Sequence, residues 1–108
     1  MSTRYPRRTY ERNPFVKFVL LRSSVFVRNA RKILKKQPQL AKNIQNTLFI
    51  LCNDPFQPKI RTHKLKGELK DSYACSAGYD LRIIFKFVEY EEKEAIFLES
   101  IGTHDEVY

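Results

Sequence analysis

The sequence predicts one α+β domain: an N-terminal strand and a helical hairpin packed on a mainly antiparallel four-stranded sheet. Three observations lead there. Apolar residues recur every three to four positions through two consecutive segments between Ser23 and Asn53. Leu81, Ile83, Phe85 and Phe87 recur at every second position, which is the strand period. The length of 108 residues leaves room for one core and no second domain.

Residues 1–14 hold Arg4, Arg7, Arg8 and Arg12 with Pro6 and Pro14 and show no apolar period. They read as a basic flexible arm, with the folded domain over residues 15–108. Residues 15–21, Phe-Val-Lys-Phe-Val-Leu-Leu, suit a short buried strand. Ser23 or Ser24 can cap a helix with Phe26, Ala30, Ile33 and Leu34 on one face and Arg28, Arg31, Lys32, Lys35 and Lys36 on the other. Pro38 suits a first helical turn, and Leu40, Ile44, Leu48 and Leu51 carry a second helix to about Asn53. Asp54-Pro55 and Pro58 stop it and open a basic loop, residues 56–67, that contains His63. Residues 69–76 read as a strand and Ala77-Gly78 as a turn. Residues 80–88 follow as a strand in which Leu81, Ile83, Phe85 and Phe87 share a buried face, then residues 89–93 as a polar connection and residues 95–101 as the last strand.

The net charge of +8 is unevenly placed. Residues 1–70 contain 17 Lys and Arg against 3 Asp and Glu, whereas residues 71–108 contain 3 against 9. A basic excess of this kind makes a polyanion the first partner to consider, because phosphates and their counterions drive such association. Cys52 and Cys75 are too few and too isolated for a metal-ligand pattern or a disulfide framework, so they read as buried free thiols. No apolar run is long enough for a membrane helix, and residues 1–14 hold no apolar stretch followed by a small-residue cleavage site. The expectation is a cytoplasmic protein with no membrane partner, no metal and no cofactor.

Three segments carry a family resemblance: His63-Lys-Leu-Lys-Gly67, then Tyr73-Ala-Cys-Ser-Ala-Gly-Tyr-Asp-Leu-Arg-Ile-Ile-Phe-Lys86, then Ile101-Gly-Thr-His-Asp-Glu-Val-Tyr108. In this order and spacing they resemble the RelE/ParE superfamily of type II toxins, especially its YafQ-like members, from about residue 15 to the end. The resemblance implies a RelE-like fold and a toxin restrained by a cognate antitoxin. When free, such a toxin enters the ribosomal A site and cleaves mRNA without a metal, through attack of a ribose 2′-hydroxyl on the adjacent phosphate. Contact with operator DNA would come through the antitoxin.

That chemistry needs a base, a phosphorane stabiliser and an acid for the leaving oxygen. By the resemblance, His104 is the acid or base, and an imidazole with an ordinary pKa near 6.5 can do either. His63 matches a second functional histidine, and a loop histidine that binds phosphate is the equal alternative. Asp80 matches a site carboxylate. Arg82 matches the strand arginine at the scissile phosphate, where a planar, permanently charged guanidinium suits the transition state. Tyr108 matches an aromatic that stacks on a base, and Arg61, Lys64 and Lys66 would hold the substrate backbone.

Two positions depart from the pattern: Ser76 stands where YafQ-like members have another histidine, and Leu81 where they have tryptophan. Two other readings therefore accompany the ribosome-dependent nuclease. One is a ParE-like toxin that binds DNA gyrase without cutting RNA. The other is a relic that binds its antitoxin and no longer cleaves.

Overall fold

A computed structural model of the chain describes residues 17–107. The expected arm of residues 1–14 and the terminal Tyr108 lie outside the described residues. Strand β1 (Val19–Arg22) leads into helix α1 (Ser24–Lys36). A 3-10 turn, Pro38–Leu40, joins it to helix α2 (Ala41–Asn53). After a further 3-10 turn at Pro58–Ile60 come β2 (His63–Lys64), β3 (Tyr73–Ser76), β4 (Leu81–Tyr90), β5 (Lys93–Thr103) and a short helix α3 (His104–Val107).

The five strands of the described residues form one sheet in the order β1-β5-β4-β3-β2. Only β1 and β5 run parallel, and the other neighbours are antiparallel. The architecture is thus the expected α+β one, with five strands in place of four. The added strand is β2, two residues within the segment read as a loop.

Ser23 shows why α1 starts where it does. Its hydroxyl accepts the Phe26 N–H at 2.9 Å and donates to the Glu99 carbonyl at 2.9 Å. One side chain thereby caps the helix and ties it to β5. Phe26, Leu40, Ile44 and Leu51 come down from the helices onto Ile83, Phe85, Ile96 and Leu98 of the sheet. Lys35 and Lys36 occupy the last turn of α1, where cations suit the helix dipole.

Four boundaries differ from the sequence expectation. Pro38 opens a 3-10 turn, and α2 itself begins at Ala41. The strand expected from residue 69 begins at Tyr73, because Gly67–Leu69 is a 3-10 turn and the Ser72 N–H bonds back to the Leu69 carbonyl at 2.9 Å. The β4–β5 connection is two residues, Glu91 and Glu92, both left-handed at φ +53° and +66°, as tight hairpin turns require. Finally, β5 runs on to Thr103 and is followed directly by α3.

A bulge lets β5 keep one face on the core for its whole length. Phe85 pairs with Leu98 and Ile84 with Ser100, so Glu99 is an extra residue. Ile96 and Leu98 before it, and Ile101 after it, are all buried. Among the described residues no helix is long and apolar enough to cross a membrane. Cys52 and Cys75 are free and buried, as expected.

Candidate functional site

The end of the sheet where β3 turns into β4 is built around Gly78. Its φ is +96°, and a Cβ there would run into the Asn43 side chain of α2, so the turn tolerates little but glycine. The Ala77 N–H donates to the Leu81 carbonyl at 2.9 Å and the Leu81 N–H to the Gly78 carbonyl at 2.8 Å. Tyr79 follows at φ +45° with 93% of its surface exposed, and Asp80 beside it is also exposed. Arg82 braces the turn from inside the strand. Its Nη1 donates to the Tyr79 carbonyl at 3.2 Å and to the Leu81 carbonyl at 3.1 Å. Leu81, Ile83 and Phe85 fill the core, so alternation turns Arg82 to the face opposite α1 and α2. It lies there between Ser76 on β3 and Gly102 on β5.

Helix α3 folds back over Gly102. A Cβ at that position would stand 2.9 Å from Glu106 Oε1 and 3.1 Å from Val107 Cγ1. A reciprocal capping box holds the helix: the Thr103 N–H donates to Glu106 Oε1 at 2.8 Å, and the Glu106 N–H donates to Thr103 Oγ1 at 3.3 Å. His104, the first residue of the helix, is exposed, and its Nδ1 lies 3.7 Å from Asp105 Oδ1. The register between strands fixes its neighbourhood. Leu81 pairs with Thr103 and Arg82 with Gly102, so Asp80 and His104 stand one residue beyond the last pair on adjacent strands. Asp80, Arg82 and His104 therefore share one end of the sheet.

His63 does not join them. It pairs with Ala74, which pairs with Ile84, placing it on the same face as Arg82. However, β3 intervenes between its strand and β4, a separation of about 10 Å. Its Nδ1 lies 3.1 Å from the Arg61 carbonyl. Arg61, Lys64 and Lys66 are exposed around the same edge, but Lys64 pairs with Tyr73 and so faces the side opposite His63. Tyr108 lies outside the described residues. The loop cations also do not continue the basic face of α1. Arg28, Arg31, Lys32, Lys35 and Lys36 are exposed as expected, yet α1 packs over β5, three strands from β2. Glu99 approaches Lys86 at 3.9 Å and accepts the Ser72 hydroxyl.

Between α1 and the Asp80–His104 end runs an open groove of 780 Å³, walled by Val25, Asn29, Lys32 and Lys36 on one side and by Tyr79, Asp80, Thr103 and Glu106 on the other. Tyr79, Thr103 and Glu106 gain significance only here. Thr103 and Glu106 have the spacing of a capping box in the sequence, but the strand period running into them hides it. Tyr79 carries no local signal beyond its place in a turn.

Residues 20–108 match the family model described as the bacterial toxin of type II toxin–antitoxin systems, YafQ. Among solved structures, YafQ from E. coli strain BL21(DE3) is similar, with TM-score 0.69 and 17% identity over 84% of this chain and 98% of that one. A YoeB/ParE toxin from Agrobacterium tumefaciens superposes with TM-score 0.69 at 10% identity over 81% and 99% of the two chains. The E. coli DinJ–YafQ complex contains a chain similar at TM-score 0.68 and 17% identity, over 84% and 98%. At these identities the structures show a shared fold. None of the curated proteins compared with the chain matches it.

Proposed function

The chain belongs to the YafQ family of toxins of type II toxin–antitoxin systems, and from that premise we propose that it is a ribosome-dependent endoribonuclease that cleaves mRNA. The observation that carries this reading is the register of β4 against β5, by which Asp80, Arg82 and His104 belong to one end of the sheet. A carboxylate, a fixed guanidinium and an imidazole at one exposed end are the parts that metal-independent RNA cleavage uses.

In this reading Asp80 takes the proton of the 2′-hydroxyl as that oxygen bonds to phosphorus. The guanidinium of Arg82, with one nitrogen spent on the turn, directs its remaining N–H groups at the charged phosphorane. His104 gives its proton to the departing 5′-oxygen, leaving a 2′,3′-cyclic phosphate and a 5′-hydroxyl end. His63, on the same face but two strands away, serves as a phosphate contact along the substrate rather than in proton transfer. Arg61 and Lys66 extend that outlying contact, Lys64 meets the substrate backbone only from the other face of the edge, and Tyr108 adds a stacking ring.

The partner is a cognate antitoxin, as DinJ is for YafQ in the E. coli complex, and operator DNA is reached through it, in the cytoplasm. Expression of the toxin alone, followed by mapping of messenger ends, tests the function. New 5′-hydroxyl ends within ribosome-bound messages are expected. Intact messages with accumulated gyrase-cleaved DNA would establish the ParE-like alternative, and neither effect would mark a relic.

A further inference from the structure

We propose that Tyr79 is a stacking platform for an unpaired RNA base, and that Lys32 and Lys36 across the groove guide the phosphates beside that base. The proposal rests on the RNA-cleaving reading and adds a substrate-positioning residue to it.

Tyr79 is 93% exposed, the most exposed large apolar side chain among the described residues. It also holds a left-handed backbone at φ +45°, which a bulky side chain adopts rarely and at an energetic penalty. The surroundings enforce this conformation. Asn43 presses on Gly78 behind it, and the Arg82 guanidinium holds its carbonyl at 3.2 Å. A ring displayed on a braced turn loses little freedom on meeting a flat partner.

The chemistry of the groove selects the partner. Lys32 and Lys36 lie one helical turn apart on α1 and both line the wall facing Tyr79. These two cations draw the backbone of an entering strand toward α1 and leave a base to meet Tyr79 on the opposite wall. Cations along the backbone with an aromatic face for the base is how single-stranded nucleic acid is generally held. The groove volume of 780 Å³ is within the range of small-ligand sites.

The chain has no tryptophan, so Tyr79→Trp places a single indole reporter at the platform. Titration with a 2′-O-methyl oligoribonucleotide, which cannot be cleaved, is expected to quench it saturably, and the joint Lys32→Glu, Lys36→Glu change should weaken that binding. For Tyr79→Ala, the oligonucleotide concentration giving half-saturation should rise about tenfold, within the usual range for loss of one stacked base. Tyr79→Phe should remain within about twofold of the parent, since stacking needs the ring and not the hydroxyl. Absence of quenching, or equal RNA binding by Tyr79→Ala and the parent, overturns the proposal. Loss of antitoxin binding by Tyr79→Ala with RNA binding unchanged also overturns it and makes the turn a protein-docking surface. Saturable, ring-dependent RNA binding by a parent chain that cuts no message would sustain the platform while removing the nuclease reading.

Discussion

Thr103 and Glu106 each bond the other's backbone N–H through their side chains, at 2.8 and 3.3 Å, and His104 is the first residue enclosed by that pair. A four-residue helix has little stability of its own. The capping box and the seat on Gly102 are what hold His104 at the end of β5.

Glu106→Ala should therefore lower messenger cleavage by about tenfold while leaving global stability nearly unchanged, because the lost cap is worth about 1 kcal/mol and is local. Single-turnover cleavage on programmed ribosomes and thermal melting measure the two effects. Glu106→Gln keeps an acceptor for the Thr103 N–H and is expected to recover most of the rate. Equal rates for parent and alanine variant would show that the cap does not position the histidine.

His104→Ala should lower cleavage by at least about two powers of ten, the usual scale for a general acid or base. Its exposed side chain contributes little to the core, so antitoxin binding and melting should persist. Full toxicity of this variant on induction would remove His104 from the chemistry.

Arg82→Ala should depress turnover by about two to three powers of ten with a smaller effect on substrate binding, because its charge is directed at the transition state. Arg82 also braces the Tyr79 turn, so a modest fall in melting temperature should accompany the loss. Arg82→Lys is expected to recover little, since a point charge cannot span two carbonyls and a phosphate. Wild-type single-turnover rates in either variant would contradict the assignment.

Burial pushes the Cys75 thiol up to about 12 from an ordinary 9.0, against smaller opposing effects from the Ile83 backbone and the Arg82 charge. Between those two values an unfolded chain releases this proton while the folded one retains it. Folding stability attributable to Cys75 is thus intact below pH 9 and lost as pH rises toward 12, on the order of 4 kcal/mol at the upper end. Melting temperature should fall less steeply over this interval in Cys75→Ala than in the parent. Parallel curves would refute the linkage.

Much of this was legible in the sequence where one physical requirement dominates. Ser23 followed by Phe26, Ala30, Ile33 and Leu34 marks α1, and Leu81, Ile83, Phe85 and Phe87 mark β4, because burial imposes a period on each. Strand β2 has only two residues and no period, so it is defined by its partner β3. Asp80, Arg82 and His104 could be identified by resemblance and expected on neighbouring strands, but not the residue-by-residue pairing that gives them a common end. That depends on the register of β4 and β5, set by a two-residue turn at Glu91-Glu92 in a segment that reads as a five-residue connection. The separation of His63 from this end, and of the α1 cations from the loop cations, follows from sheet order, to which local sequence is silent.

The extra residue at Glu99 gives β5 two reading frames, one before it and one after. Upstream, even-numbered Ile96 and Leu98 face the helices, and downstream odd-numbered Ile101 does. Deleting one residue here would confront the chain with a choice between two unfavourable outcomes. Either Ile101 turns outward and Gly102 inward, inverting the side on which α3 lands, or the strand slips and carries His104 one position away from Asp80. Substitutions at Glu99 should consequently be far better tolerated than its removal, and natural length variation in such chains should fall in the segment before β3 and spare the run from Leu98 to Thr103.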